Sequence, residues 1–220
     1  MSFKRKFITL LICFLSVITL ITTADASSVI KGRGTNDPYP LQGILQYKVD
    51  CQGLSPVESV ERIVTLLDIE SNERYFQTGV VKKNSKLYEI PQNELEDFNI
   101  SPTYNNTYCN IFTLDVLNIL ANSVGDEGYR ISSRAVMAND LRKLFEKSPN
   151  WHEVSKSEAV EWSRKGFVVV LSYTENPHGH VALVKPTSTN DNIRLWNVGS
   201  VNSEDYEWTI KVNTKYFVKY

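Results

Sequence analysis

The sequence predicts an α+β domain in which a buried helix packs on a C-terminal antiparallel sheet. Three observations predict it. The run Cys109 to Asn122 carries Ile111, Phe112, Leu114, Val116, Leu117, Ile119 and Leu120, so nearly every face is apolar, and a helix of that kind belongs inside a core. Gly166 marks a change of period, with helical spacing before it and short, β-branched and aromatic-rich segments after it. The connections between those later segments are short, which suits antiparallel neighbours.

Taken in order, Met1 to Lys6 carry Lys4, Arg5 and Lys6 ahead of a charge-free, mostly apolar run from Phe7 to Ile21, followed by the small residues Ala24 and Ala26. This is the pattern of a signal peptide over residues 1–26, cleaved after Ala26, with Cys13 leaving in it. The alternative is an uncleaved membrane anchor, which the length of the run only just permits. Residues 27–100 read as a lead and a helical and loop part of the same domain. Within them Lys31 to Pro40 is an aperiodic arm. A helix follows over Pro56 to Ile69, with Val57, Val60, Ile63, Val64 and Leu67 at helical spacing and Ser55 as its cap. Glu70 to Tyr108 is loop-rich, with a short helix expected near Gln92 to Asp97.

Residues 101–220 form the expected core: the Cys109 helix, then helices over Ala138 to Lys147 and Ser157 to Lys165. Strands are expected over Phe167 to Tyr173, His180 to Lys185, Ile193 to Val198, Tyr206 to Val212 and Tyr216 to Tyr220. Neither a repeat nor a low-complexity tract interrupts them.

The net charge is −1, from 24 Lys and Arg against 25 Asp and Glu, so no basic excess exists to neutralise phosphates and nucleic acid is excluded as a partner class. Once the leader is gone only Cys51 and Cys109 remain, in a compartment where thiols tend to be oxidised, so one structural disulfide between them is a standing alternative.

Cys109 has a second reading. It opens the buried helix, where unpaired amides and the helix dipole favour a thiolate, and the same amides, its own included, can receive an oxyanion. A nucleophile there needs a base, and the chain has three histidines, His152, His178 and His180. His180 opens the strand His180 to Val184 directly after a turn, which holds an imidazole at a sheet edge. His178 sits in the turn itself, where its rotamer is held less tightly, and His152 follows Trp151 in a helix connection. The far nitrogen of such a base is best held by an acceptor, and Asn197, near the end of the next strand, is the candidate, with Asn202, Ser200 and Asp191 as competitors. Tyr108 and Asn110 flank the cysteine as candidate substrate contacts, although the Tyr108 ring could equally cap the helix end. Trp151, Trp162, Trp196 and Trp208 read as core residues ahead of a binding platform. The acidic run Glu94 to Asp97 reads as a solvated turn.

Thr107-Tyr108-Cys109-Asn110-Ile111-Phe112, Ala138-Asn139-Asp140, Gly166 to Val170 and Gly179-His180-Val181-Ala182-Leu183-Val184 together resemble the NlpC/P60 and CHAP superfamily of papain-like cysteine peptidases and amidases, the cell-wall hydrolases of bacteria and phages. The likeness runs from Ile100 to the C-terminus. It implies a papain-like fold and a thiol hydrolase acting on amide bonds of peptidoglycan, with Cys109 as nucleophile, His180 as base and Asn197 as its orienting residue. It implies no metal and no cofactor. The usual Asp-Cys-Ser context of NlpC/P60 members is replaced here by Tyr108-Cys109-Asn110, which marks a divergent branch. The expected partners are peptidoglycan or another peptide substrate, and an inhibitor or immunity protein. The expected location is the periplasm or the cell exterior, with no membrane association after leader cleavage. Asn105-Asn106-Thr107 is a glycosylation acceptor pattern, and a glycan beside the nucleophile would obstruct it, which favours a bacterial source. Acyl transfer to an amine shares the thioester step. A non-catalytic binding or inhibitor module stapled by Cys51 and Cys109 is the reading from another class.

Overall fold

Helix α1 spans Pro56–Leu67 and starts where the sequence places it, because Ser55 and Glu58 form a reciprocal capping box: the Glu58 carboxylate accepts from the Ser55 amide at 2.7 Å, and the Ser55 hydroxyl accepts from the Glu58 amide at 3.4 Å. Pro56 sits at the first helical position, where its missing N–H costs nothing. The computed structural model describes residues 45–70, 75, 80–83, 86–89, 108–133, 136–176, 179–199 and 201–220. The leader, the arm 31–40, the segment expected to be helical at 92–97, the acceptor pattern at 105–107, His178 and Ser200 lie outside the described residues.

A two-stranded hairpin, β1 (Val80–Lys83) and β2 (Lys86–Glu89), occupies part of the stretch read as loop. Helix α2 (Cys109–Val124) follows, and every residue from Cys109 to Ala121 is buried, as its all-round apolarity predicts. Gly125 ends it in the left-handed conformation, at a φ of 71°. Helices α3 (Ala138–Lys147) and α4 (Lys156–Arg164) come next, separated by the short strand β3 (His152–Val154). Five further strands complete the chain: β4 (Val168–Tyr173), β5 (His180–Val184), β6 (Ile193–Asn197), β7 (Ser203–Trp208) and β8 (Thr214–Lys219). With β3 they form a six-stranded antiparallel sheet in the order β3-β8-β4-β5-β6-β7. Among the described residues the fold is therefore mixed α+β, with four α-helices and this sheet.

Two strands of this sheet differ from expectation. β3 is three residues long, too short to show alternation, and its pairing with β8 creates it; His152 thus lies in the connection between two helices, as expected, and that connection is a strand. β7 begins at Ser203 and stops at Trp208, whereas the expected strand ran from Tyr206 to Val212. Its Glu204, Asp205 and Glu207 mask the pattern because β7 is an edge strand, where charge is tolerated and useful. Val212, by contrast, is 85% exposed in the connection to β8.

One face of the sheet, with Val170, Val181, Leu183, Trp196 and Phe217, packs on α2; α1 and the segment around Val49 and Cys51 join the same cluster, so the described residues before and after position 100 share one core. The other face, with Val169, Leu171, Ala182, Val184 and Leu195, packs on Ala159 and Val160 of α4. Each fully buried large aliphatic or aromatic side chain contributes about 1.5–3 kcal/mol, so the buried side chains of α2 contribute strongly to stability. No helix among the described residues is long and apolar enough to cross a membrane.

Candidate active site

The site forms where the N-terminus of α2 meets the open end of the β5–β6 pair. That ladder consists of Leu183↔Trp196 and Val184↔Leu195, so Val181 and His180 lie beyond it. Into this gap α2 brings Cys109. The sulfur accepts hydrogen bonds from the backbone amides of Val181 and Asn110 and is hydrogen-bonded to His180. The amides of the first helical turn have no partner inside the helix, which is why Asn110 N–H is available to the sulfur.

His180 is held from its other side. Its Nε2 lies 2.8 Å from Asn197 Oδ1, and Asn197 Nδ2 donates to the Val201 carbonyl at 2.5 Å, which fixes the carboxamide with its oxygen toward the ring. Nε2 therefore carries a hydrogen, and Nδ1 is the nitrogen that serves Cys109.

The two ionisations reinforce one another. Burial pushes the Cys109 thiol up, but the charge and hydrogen bond of His180, with the Val181 and Asn110 amides, outweigh it and hold the thiol below its ordinary range. Burial pushes His180 down, but the charge and hydrogen bond of Cys109 and the bond to Asn197 outweigh it and hold the imidazole above its ordinary range, with the Lys211 ammonium opposing. A thiolate and imidazolium paired in this way titrate as a unit.

The surroundings lock this geometry. Gly179, at a φ of 66°, precedes the histidine because a Cβ there would run into Asn139 Oδ1 and lie 2.8 Å from the Tyr173 carbonyl. Gly199 packs against the imidazole: a Cβ there would sit 3.4 Å from His180 Cε1. Asn202 holds that backbone in place, accepting from Gly199 N–H at 3.1 Å and donating to the carbonyls of Ile69 and Tyr75. Tyr75 in turn donates to the buried Asp115 of α2 at 2.8 Å. The indole of Trp208 lies flat on the imidazole, 5.3 Å between centroids and 8° between planes. Trp208 pairs with Ile193 at the far end of the β6–β7 ladder, so this contact requires the sheet to coil over its own face.

The residues singled out in the sequence separate cleanly. Cys109, His180 and Asn197 come together. Asn202 supports the site through backbone, and Asp191 is exposed in the β5–β6 turn. His152 is exposed and stacks on Tyr220. Asn110, expected to touch substrate, has its amide committed to the Val136 carbonyl at 2.6 Å. Tyr108 makes no side-chain cap to α2, and its ring is buried in the cluster around that helix. Of the tryptophans, Trp151 and Trp196 are core residues and Trp162 packs on Phe167 and Tyr220. Trp208 belongs to the site, which no local pattern in the sequence signals. Cys51 and Cys109 are both buried free thiols, so the staple considered above is not formed. Among the described residues no cluster of three His, Cys, Asp or Glu side chains could hold a metal ion.

No family model matches the chain, and no curated protein matches it.

Proposed function

We propose that the chain is an exported cysteine hydrolase with a papain-like catalytic core that cleaves amide or peptide bonds, with peptidoglycan as the polymer within its reach. One observation carries this reading: the Cys109 sulfur is hydrogen-bonded to His180, whose opposite nitrogen is fixed by Asn197 at 2.8 Å. Nucleophile, base and orienter in that order are what acyl transfer through a thioester needs. A structural disulfide needs none of them, and the free thiols of Cys51 and Cys109 weigh against the stapled binding module.

In the proposed reaction the Cys109 thiolate attacks the carbonyl carbon, and the developing oxyanion accepts from the Cys109 amide at the head of α2. His180 gives the proton on Nδ1 to the departing nitrogen, leaving a thioester. Water then attacks the thioester as His180 takes up its proton, and collapse releases the acid and restores the thiolate–imidazolium pair. Support for keeping the pair ionised comes from the opposed pKa displacements of the two groups.

The test is digestion of purified peptidoglycan by wild-type protein and by Cys109→Ala, with products identified by mass spectrometry. New amide-cleavage fragments from the wild type alone are expected. An absence of fragments from well-folded wild-type protein, across sacculi of differing stem peptides, overturns the assignment of peptidoglycan; failure on amide and peptide libraries as well overturns hydrolysis.

A further inference from the structure

A cleft of about 200 Å³ opens beside His180, on the side where the ring meets Trp208. Its walls are aromatic, from Tyr173, Tyr206 and Trp208, and Asn197 reaches its base. Across it lies Lys211, whose ammonium rests 4.7 Å from the centroid of Tyr173 and 5.6 Å from that of Trp208. Lys211 is exposed and makes no ion pair among the described residues. Among the described residues that line the cleft, Glu175 is the other charged side chain besides Lys211 and His180, and the Tyr173 hydroxyl is hydrogen-bonded to it.

Both rims are pinned to α3. Arg142 donates to Thr174 Oγ1 at 3.1 Å on the β4–β5 side and to the Asn213 carbonyl at 2.7 Å on the β7–β8 side. Asn139 donates to the Glu175 carbonyl at 2.9 Å. The cleft is thus formed before any ligand arrives, with a cation over two ring faces that makes no ion pair among the described residues, while the Glu175 carboxylate on the same lining is engaged by Tyr173. Lys211 is solvent-exposed, so a carboxylate reaching it gains a charge-assisted bond of the modest size usual at a surface.

We infer that this cleft is the subsite for the amine side of the substrate, and that it takes a residue bearing a free carboxylate, which pairs with Lys211. The inference rests on the hydrolase reading, because His180 is the group that hands a proton to the departing nitrogen and the fragment leaving with that nitrogen must pass along His180. The ligand class is an acidic peptide, its carboxylate toward Lys211 and its aliphatic part against Tyr206 and Trp208. The placement has a second consequence. The ammonium of Lys211 works against the imidazolium of His180, and a carboxylate bound to it removes that opposition, so the correct substrate supports the ionised pair that attacks it.

The test uses pairs of cleavable peptides that differ only in a carboxylate or its carboxamide on the leaving side. The wild type is expected to favour the acid by about 3- to 5-fold in kcat/KM, the upper part of the range for a solvent-exposed ion pair. The acid-to-amide ratio should fall to about 1 in Lys211→Met, invert in Lys211→Glu and persist in Lys211→Arg. Binding of the same peptides to Cys109→Ala, followed by calorimetry, gives the preference without turnover, so the outcome does not depend on finding a cleavable sequence. Equal binding of acid and amide to Cys109→Ala, or an unchanged ratio in Lys211→Met with a wild-type melting curve, overturns the inference and leaves the hydrolase assignment standing. Acid preference in binding with no cleavage of any peptide overturns the hydrolase assignment instead.

Discussion

On one face of the sheet Val170, Val181, Leu183 and Phe217 close against a helix whose first thirteen residues are all buried. On the other, Val169, Leu171 and Ala182 meet the smaller helix α4, and toward the open end of β5 the apolar packing gives way to His180, Trp208 and a cleft. The proposed nucleophile belongs to the first layer and the proposed base to the second, and they meet where the β5–β6 ladder has ended. This difference shows how a core cysteine can also be placed for the proposed chemistry. The helix that buries Cys109 also supplies the amide that meets its sulfur, while the second layer supplies the charge that makes burial of a thiolate tolerable.

The contrast can be broken from either side. His180→Ala should lower kcat/KM by about 1,000- to 10,000-fold while the melting temperature stays near that of the wild type, because it removes the proton carrier and leaves the α2 face intact. Steady-state rates beside calorimetric melts read both quantities. Leu117→Ala, two turns into α2 and fully buried, should do the reverse. It is expected to cost about 2–5 kcal/mol in urea unfolding, with the rate per folded molecule kept.

Asn197→Ala should fall between these, losing about 10- to 100-fold in kcat/KM, the scale of one orienting hydrogen bond. Its pH profile distinguishes positioning from bulk. The proposed reaction requires thiolate and imidazolium together, so the acid limb should follow protonation of Cys109, held low, and the alkaline limb proton loss from His180, held high. The Asn197 bond helps to raise His180, so the variant's alkaline limb should move to lower pH. A fall in rate with an unmoved limb would show that Asn197 acts only through packing. The smallest effect belongs to Ser55→Ala, which removes the α1 capping box far from the pair. It should cost about 1 kcal/mol in urea unfolding and leave the profile where it was.

Much of the scaffold was legible from the sequence. The start of α1 follows from apolar spacing and the Ser55 cap, and α2 and α3, which have no side-chain N-cap, were legible from their residue pattern alone. β4 and β5 were legible for a related reason: strands buried on both faces show as continuous apolar runs. The edge strands β3 and β7 were not, because pairing partners rather than composition create them.

The candidate site divides along the same line. Cys109 at a helix start and His180 after a glycine are local features, and the need for a base follows from chemistry. That Asn197 and not Asn202 faces the imidazole was settled by which carboxamide lies at the open end of the ladder, and Asn202 donates its hydrogen bonds to backbone far back in the chain, at Ile69 and Tyr75.

By itself the sequence determined the helical layer, the central strands β4, β5 and β6 and the place of a thiol at a helix head, since each depends on residues within a few positions of one another. Tertiary structure alone decided that Cys51 stays unpaired, that Trp208 lies on His180 and that Lys211 overlooks the cleft, because those contacts join residues far apart in the chain through the coil of the sheet. Local patterns carry no record of that coil, and it is the coil that turns a cysteine at the head of a buried helix into one side of a site.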